Sequence, residues 1–158
     1  MKSLPSVTLI LALGFLVSGC ATSVEPSSTP VTTLAESVES ESDLRTAETF
    51  VIRDAVTFAR VWTQLFRARR ELPTIDFSTQ MIVVATMGQQ PSAGYAIKIT
   101  GSRRSDRGLI VYVTTASPST TCSTAAVITY PVAIARLPRY DGQVRFEFTR
   151  TTRDCSGR

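Results

Sequence analysis

From residue 50 onward the apolar positions recur at regular spacing, first helical and then strand-like. Phe58, Val61, Trp62, Leu65 and Phe66 return every three or four residues, which predicts an amphipathic helix over 55–69 with Asp54 as its N-cap and a short strand at 50–52 before it. Val56 falls off that stripe. Arg67, Arg69 and Arg70 suit the negative pole of the helix dipole, and Leu72-Pro73 stops the helix. Residues 81–87 (MIVVATM) are almost wholly apolar, as a central strand buried on both faces requires. Tyr95, Ile97 and Ile99, and then Leu109, Val111 and Val113, occupy alternate positions. They predict two half-buried strands joined by the Gly- and Ser-containing hairpin segment 101–108. A further strand is expected over 127–137, with Tyr130-Pro131 marking an edge position or a bulge. Val144, Phe146 and Phe148 alternate with Arg145 and Glu147 in a last strand. The pattern adds up to a single α+β domain: one mostly antiparallel sheet with one N-terminal helix packed on it. No self-similar period argues for a repeat architecture.

Before residue 50 that pattern stops. Residues 21–49 are rich in Ser, Thr, Pro and Glu, lack Gly, and carry six acidic residues against Arg45 alone. A flexible tether is expected, reaching roughly 30 Å, with a short helix near 31–40 as the competing reading. Lys2 followed by an apolar run at 7–17 is too short to cross a bilayer and reads as an export signal. Val17-Ser18-Gly19-Cys20 then resembles the lipobox of bacterial lipoproteins, with Val17 where Leu is commoner; ordinary cleavage after Ala21 is the alternative. The resemblance implies a signal peptide at 1–19, lipid attachment at Cys20, a tether over 20–49, a folded domain over 50–158 and membrane attachment through the lipid. Ala21, where an Asp would favour inner-membrane retention, points to the outer membrane facing the periplasm.

Candidate chemistry narrows the function by exclusion. The stretch GQQPSAGYAIKI at 88–99 has no Lys after its second glycine and leads into a strand, so it is not a phosphate-binding P-loop. Ser92 has no Gly two places before it, and the 158 residues contain no His, so a nucleophile elbow with a histidine base is also excluded. A turn stiffened by Pro91, with Gly94 free to take positive φ beside Tyr95, remains. Asp76, Asp106, Asp141, Glu71 and Glu147 show no spacing of an acid/base pair, so no catalytic residue, metal site or cofactor is expected. Of three cysteines, lipidation of Cys20 leaves Cys122 and Cys155, which are expected to pair in an oxidising compartment.

Binding is the stronger class. Residues 50–158 hold 15 basic and 7 acidic side chains, a balance that favours anionic partners such as lipopolysaccharide, peptidoglycan carboxylates or an acidic envelope protein. Nucleic acid is excluded by compartment. Two contact surfaces are candidates: the stiff turn with Gly88, Pro91, Gly94 and Tyr95 for a protein, and Arg103, Arg104 and Arg107 at the hairpin tip for an anionic polymer. Both are also readable as ordinary solvated turns.

Thr74-Ile75-Asp76-Phe77-Ser78, Gly88-Gln89-Gln90-Pro91-Ser92-Ala93-Gly94-Tyr95, Ser117-Pro118 and Tyr130-Pro131-Val132 together resemble the PrcB C-terminal domain family over about residues 50 to 149. That family takes its name from a lipoprotein subunit that associates with, and stabilises, a surface protease complex of oral spirochaetes. The resemblance implies an accessory, non-catalytic role beside an envelope protein, a protease among the candidates.

Overall fold

The structure is a computed structural model and describes residues 28–39, 44–67 and 69–155. The expected signal peptide and Cys20 lie outside the described residues. Among the described residues, eight strands and one helix follow in the order β1 (Ser28–Thr29), β2 (Thr32–Glu39), β3 (Thr49–Ile52), α1 (Ala55–Phe66), β4 (Gln80–Thr86), β5 (Ala96–Ser105), β6 (Gly108–Pro118), β7 (Pro131–Pro138) and β8 (Val144–Arg153). The class is α+β, as the pattern predicts. The single expected sheet is two: β1-β5-β6-β8 and β2-β7-β4-β3, mostly antiparallel, with β6 and β8 parallel.

The layers follow from alternation in β4 and β7. Ile82, Val84, Val132 and Ile134 face α1 and pack with its stripe of Phe58, Val61, Trp62, Leu65 and Phe66. Met81, Val83, Ala85, Ala133, Ala135 and Leu137 face the other way, onto Ile97, Ile99, Leu109, Val111 and Val113 of the second sheet. One sheet is thus covered on both faces, which is why its central strands are nearly continuous apolar runs. Three layers result, helix on sheet on sheet.

Asp54 caps α1 by accepting the Thr57 amide at 2.8 Å. The helix ends at Phe66, three residues earlier than expected, because Arg67 turns left-handed (φ 44°) and its amide closes onto the Thr63 carbonyl. The Trp62 indole then donates to the Arg70 carbonyl at 3.1 Å, and the Arg70 guanidinium lies 5.0 Å over the Phe66 ring. The last turn of the helix carries no basic residue; the arginines belong to the exit.

Two further differences have clear causes. Residues 28–39, expected to be tether, are strands: β1 adds to β5 and β2 to β7, with Ala35 and, further on, Leu44 buried against the α1 cluster. The run looks polar because an edge strand shows one face to water. The strand expected over 127–137 begins only at Pro131 and lies inside its sheet, between β2 and β4. Proline is admitted there as a first strand residue, where its missing N–H breaks no ladder.

Candidate functional site

The turn that the sequence singles out is built from three segments. At Gly88 the chain takes φ 66°, and a Cβ there would stand 2.6 Å from the Arg45 carbonyl oxygen. That carbonyl accepts the Gln89 amide at 2.9 Å, so the loop before β3 and the turn after β4 are in backbone contact. Gln90 and Thr129 exchange both backbone hydrogen bonds, at 2.8 and 3.1 Å, and the Ala93 amide donates to the Ala125 carbonyl at 3.0 Å. The Thr129 hydroxyl donates to the Ser92 carbonyl at 2.9 Å, and the Gln90 side-chain amide to the Met87 carbonyl at 2.7 Å. Gly94 (φ 94°) sits against Thr124 and Pro118. Every one of these bonds fixes backbone, which makes residues 88–94 and 125–129 a rigid two-segment platform.

A covalent tie lies beneath it. Cys122 and Cys155 form a disulfide with Cα atoms 4.9 Å apart, as their pairing in the sequence predicts. It fastens the 119–130 loop to the end of β8, helped by the Ser119 amide on the Arg153 carbonyl (2.9 Å) and the Thr121 hydroxyl on Asp154 (3.0 Å). An open groove of about 460 Å³ runs between Gly94, Pro118, Cys122, Thr124, Arg153 and Cys155.

Pro91 is exposed on the platform and Tyr95 is half-buried at its foot. Beside the Gln90–Thr129 bridge stand Val127 and Ile128, 51% and 54% exposed. The sequence pattern places these two in the strand expected over 127–137, at its edge position or bulge. Apolar side chains without a strand partner form instead a small crest next to Pro91, which composition alone cannot distinguish from core.

The three arginines are not brought together. β5 and β6 continue to a two-residue turn, Asp106-Arg107, and pair Arg103 with Ile110 and Arg104 with Leu109. Neighbours in a strand point to opposite faces. The Arg104 guanidinium lies 4.8 Å over the Tyr140 ring, Arg103 is half-buried, and Arg107 is exposed at the tip.

A second opening of about 420 Å³ separates β3 from β8, lined by Glu48, Thr49, Met87, Thr115, Phe148 and Arg150. It meets the inter-sheet core at its base.

The carboxylates have structural work. Hydrogen bonds from the Thr57 amide and hydroxyl hold Asp54 below the usual carboxylate range. Asp76 is lowered by the Ser78 hydroxyl first, then by the Thr79 hydroxyl and the Ser78 amide, in the turn that launches β4. Both are acceptors in their charged form, the opposite of a general acid poised near neutrality. Among the described residues no three His, Cys, Asp or Glu side chains are gathered as a metal site.

No curated protein and no solved structure matches the chain. The model of the PrcB C-terminal family matches residues 81–138, which run from β4 to the end of β7 and include every residue of the two-segment platform, so the part of the chain that builds this site is similar in sequence to PrcB C-terminal domains.

Proposed function

We propose that this chain is a lipid-anchored, non-catalytic accessory subunit of the bacterial envelope, held at the outer membrane through Cys20 and facing the periplasm, where it binds a protein partner in an assembly such as a protease complex. The observation that supports this most directly is the coincidence of the PrcB C-terminal match at 81–138 with a platform made rigid by backbone hydrogen bonds and presenting Pro91, Val127 and Ile128 to solvent. A pre-ordered apolar surface binds protein at low entropic cost. The Cys122–Cys155 disulfide fits an oxidising compartment. Binding of an anionic polymer draws less support, because Arg103 and Arg104 leave β5 on opposite faces.

The test is purification of the tagged full chain from detergent-solubilised envelope after labelling with palmitate. A defined protein partner should co-purify, and Val127→Asp with Ile128→Asp should release it while the urea midpoint stays within the error of the parent. Cys20→Ser should end palmitate incorporation. A labelled chain that purifies alone, or a homogeneous chain that itself hydrolyses peptide bonds, would refute the reading.

A further inference from the structure

Among the described residues four strands stand at the edges of the two sheets, and three of them are blunted. β1 is two residues long, β3 is four, and β2 has register shifts at Thr33/Ala35 and Ala35/Val38. Short or irregular edges are the usual defence against unwanted strand addition. The fourth edge, β8, is ten residues long, contains no proline and keeps one unbroken register against β6 from Val144 to Arg153.

The backbone of β8 is half used. The Gln143 and Arg153 carbonyls accept from the Leu109 and Ser119 amides, so odd-numbered residues turn their peptide groups to β6. Peptide groups alternate along a strand. Phe146, Phe148, Arg150 and Thr152 therefore aim theirs outward, where no described residue pairs with them. The side chains of Val144 and Phe146 pack into the inter-sheet core, and Phe148, next on that face, is 44% exposed at the mouth of the β3/β8 opening. At the other border of the sandwich the chain crosses directly from β1 to β2 through Pro30-Val31, with Val31 against the same core.

We infer that the outer edge of β8 is a strand-docking site: it takes an extended, carboxylate-bearing segment of a partner protein, which pairs with Phe146, Phe148, Arg150 and Thr152 and places one apolar side chain beside Phe148 in the β3/β8 opening. Strand addition draws its affinity from main-chain hydrogen bonds and its selectivity from alternate side chains. Here those side chains set the charge: Arg145 and Arg153 lie on the outer face with Glu147, and Arg150 stands at the opening. A second copy would set three arginines and one glutamate against the same set, whereas an acidic segment meets complementary charge. This inference rests on the proposed protein-binding role and names the kind of partner that role requires.

The probe is a ten-residue peptide alternating Val and Glu, with a Val/Lys peptide as control, added to the full chain and followed by residue-resolved amide hydrogen exchange. The Val/Glu peptide should slow exchange at Phe146, Phe148, Arg150 and Thr152 at least tenfold, leave the odd-numbered amides unchanged, and exceed the effect of the Val/Lys peptide. Arg150→Pro removes an outward N–H without touching the β6 ladder and should abolish that protection. Arg145→Glu with Arg153→Glu, both exposed, should invert the preference between peptides, so the result does not hang on the proline variant folding. Equal protection by both peptides, protection elsewhere, or concentration-dependent protection of the same four amides without peptide, the mark of a homodimer, would overturn the inference. If the envelope partner co-purifies as strongly with Arg150→Pro, the edge reading fails alone; if no partner co-purifies with the parent chain, the protein-binding role fails.

Discussion

Arg53 and Arg139 hold each other's segments through backbone carbonyls. The Arg53 guanidinium donates to the Tyr140 and Gly142 carbonyls, each at 2.9 Å, and the Arg139 guanidinium donates to the Arg53 carbonyl at 3.1 Å and to that of Phe77 at 2.6 Å. Asp141 pairs with Arg139 at 2.8 Å. The crossover from β7 to β8 is thereby fastened to the start of α1 and to the turn before β4, so the two sheets and the helix share one knot of charged donors.

Arg139→Ala should therefore destabilise the fold by roughly 2 kcal/mol, the usual cost of losing charged hydrogen bonds to partly buried carbonyls. Arg139→Lys should recover less than half of that, since an ammonium lacks the planar fork that reaches two carbonyls and a carboxylate together. Urea unfolding monitored at Trp62, a buried residue of α1, measures both. Equal stability of the Ala and parent chains would show the knot to be ornamental.

A sharper contrast is available among the glycines. Gly88→Ala meets both a positive φ and a Cβ position 2.6 Å from the Arg45 carbonyl, and backbone cannot swing aside as a side-chain tip can. A loss of about 3 kcal/mol is expected, strain and overpacking combined. Gly101→Ala has an ordinary φ and its nearest neighbour at 4.0 Å, a Tyr112 ring carbon, so it should cost well under about 1 kcal/mol. Thermal unfolding of the two variants side by side decides whether the 88–94 turn is a tightly packed part of the fold.

What the sequence discloses depends on how local each cause is. The α1 stripe and the two-faced burial of β4 are read from consecutive residues, and they hold. Asp54 caps its helix because a carboxylate three residues before Thr57 reaches its amide, again a local event. β2 escapes such reading: its partner β7 lies about a hundred residues away, and an edge strand with Thr32, Thr33 and Glu36 exposed resembles a linker. The second sheet is equally hidden, because alternation says that one face of β5 or β6 is buried without saying what buries it. Arg103 and Arg104 look clustered only if 101–108 is a loop; once the strands extend to Asp106-Arg107, adjacency in sequence becomes separation in space. Of the residues proposed for contact, Pro91 is legible as a stiffened turn, whereas Val127 and Ile128 read as part of the strand over 127–137, which begins only at Pro131.

Acid sensitivity should concentrate at the turn before β4. Asp76 has its folded pKa lowered by the Ser78 and Thr79 hydroxyls and the Ser78 amide. A depressed carboxylate contributes its stabilisation above the unfolded pKa, about 3.9, and loses it as pH falls through the lower folded value. Asp76→Ala should consequently be less stable than the parent at pH 7, and the gap between their urea midpoints should close steadily below about pH 4. A gap that stays constant down to pH 2 would mean that the carboxylate's hydrogen bonds contribute nothing in solution.

The Cys122–Cys155 bond closes a loop with a sequence separation of 33, for which chain entropy predicts roughly 3–4 kcal/mol of stabilisation. The position of that loop makes the prediction more than a stability figure. The bond fastens 119–130 to the end of β8, and 125–129 in turn holds the 88–94 turn through the Gln90–Thr129 and Ala93–Ala125 hydrogen bonds. Replacing both cysteines by Ser should lower the unfolding free energy by that amount and, in the still-folded protein, speed amide exchange at Ala93 and Thr129 more than at Val83 or Ile134 in the sheet core. Thiol titration of the denatured, unreduced parent should find neither Cys122 nor Cys155 reactive. If the double variant loses stability but Ala93 and Thr129 remain as protected as before, the platform stands without its covalent tie, and partner binding should survive reduction; if their protection collapses, reduction should release the partner at temperatures where the core is intact.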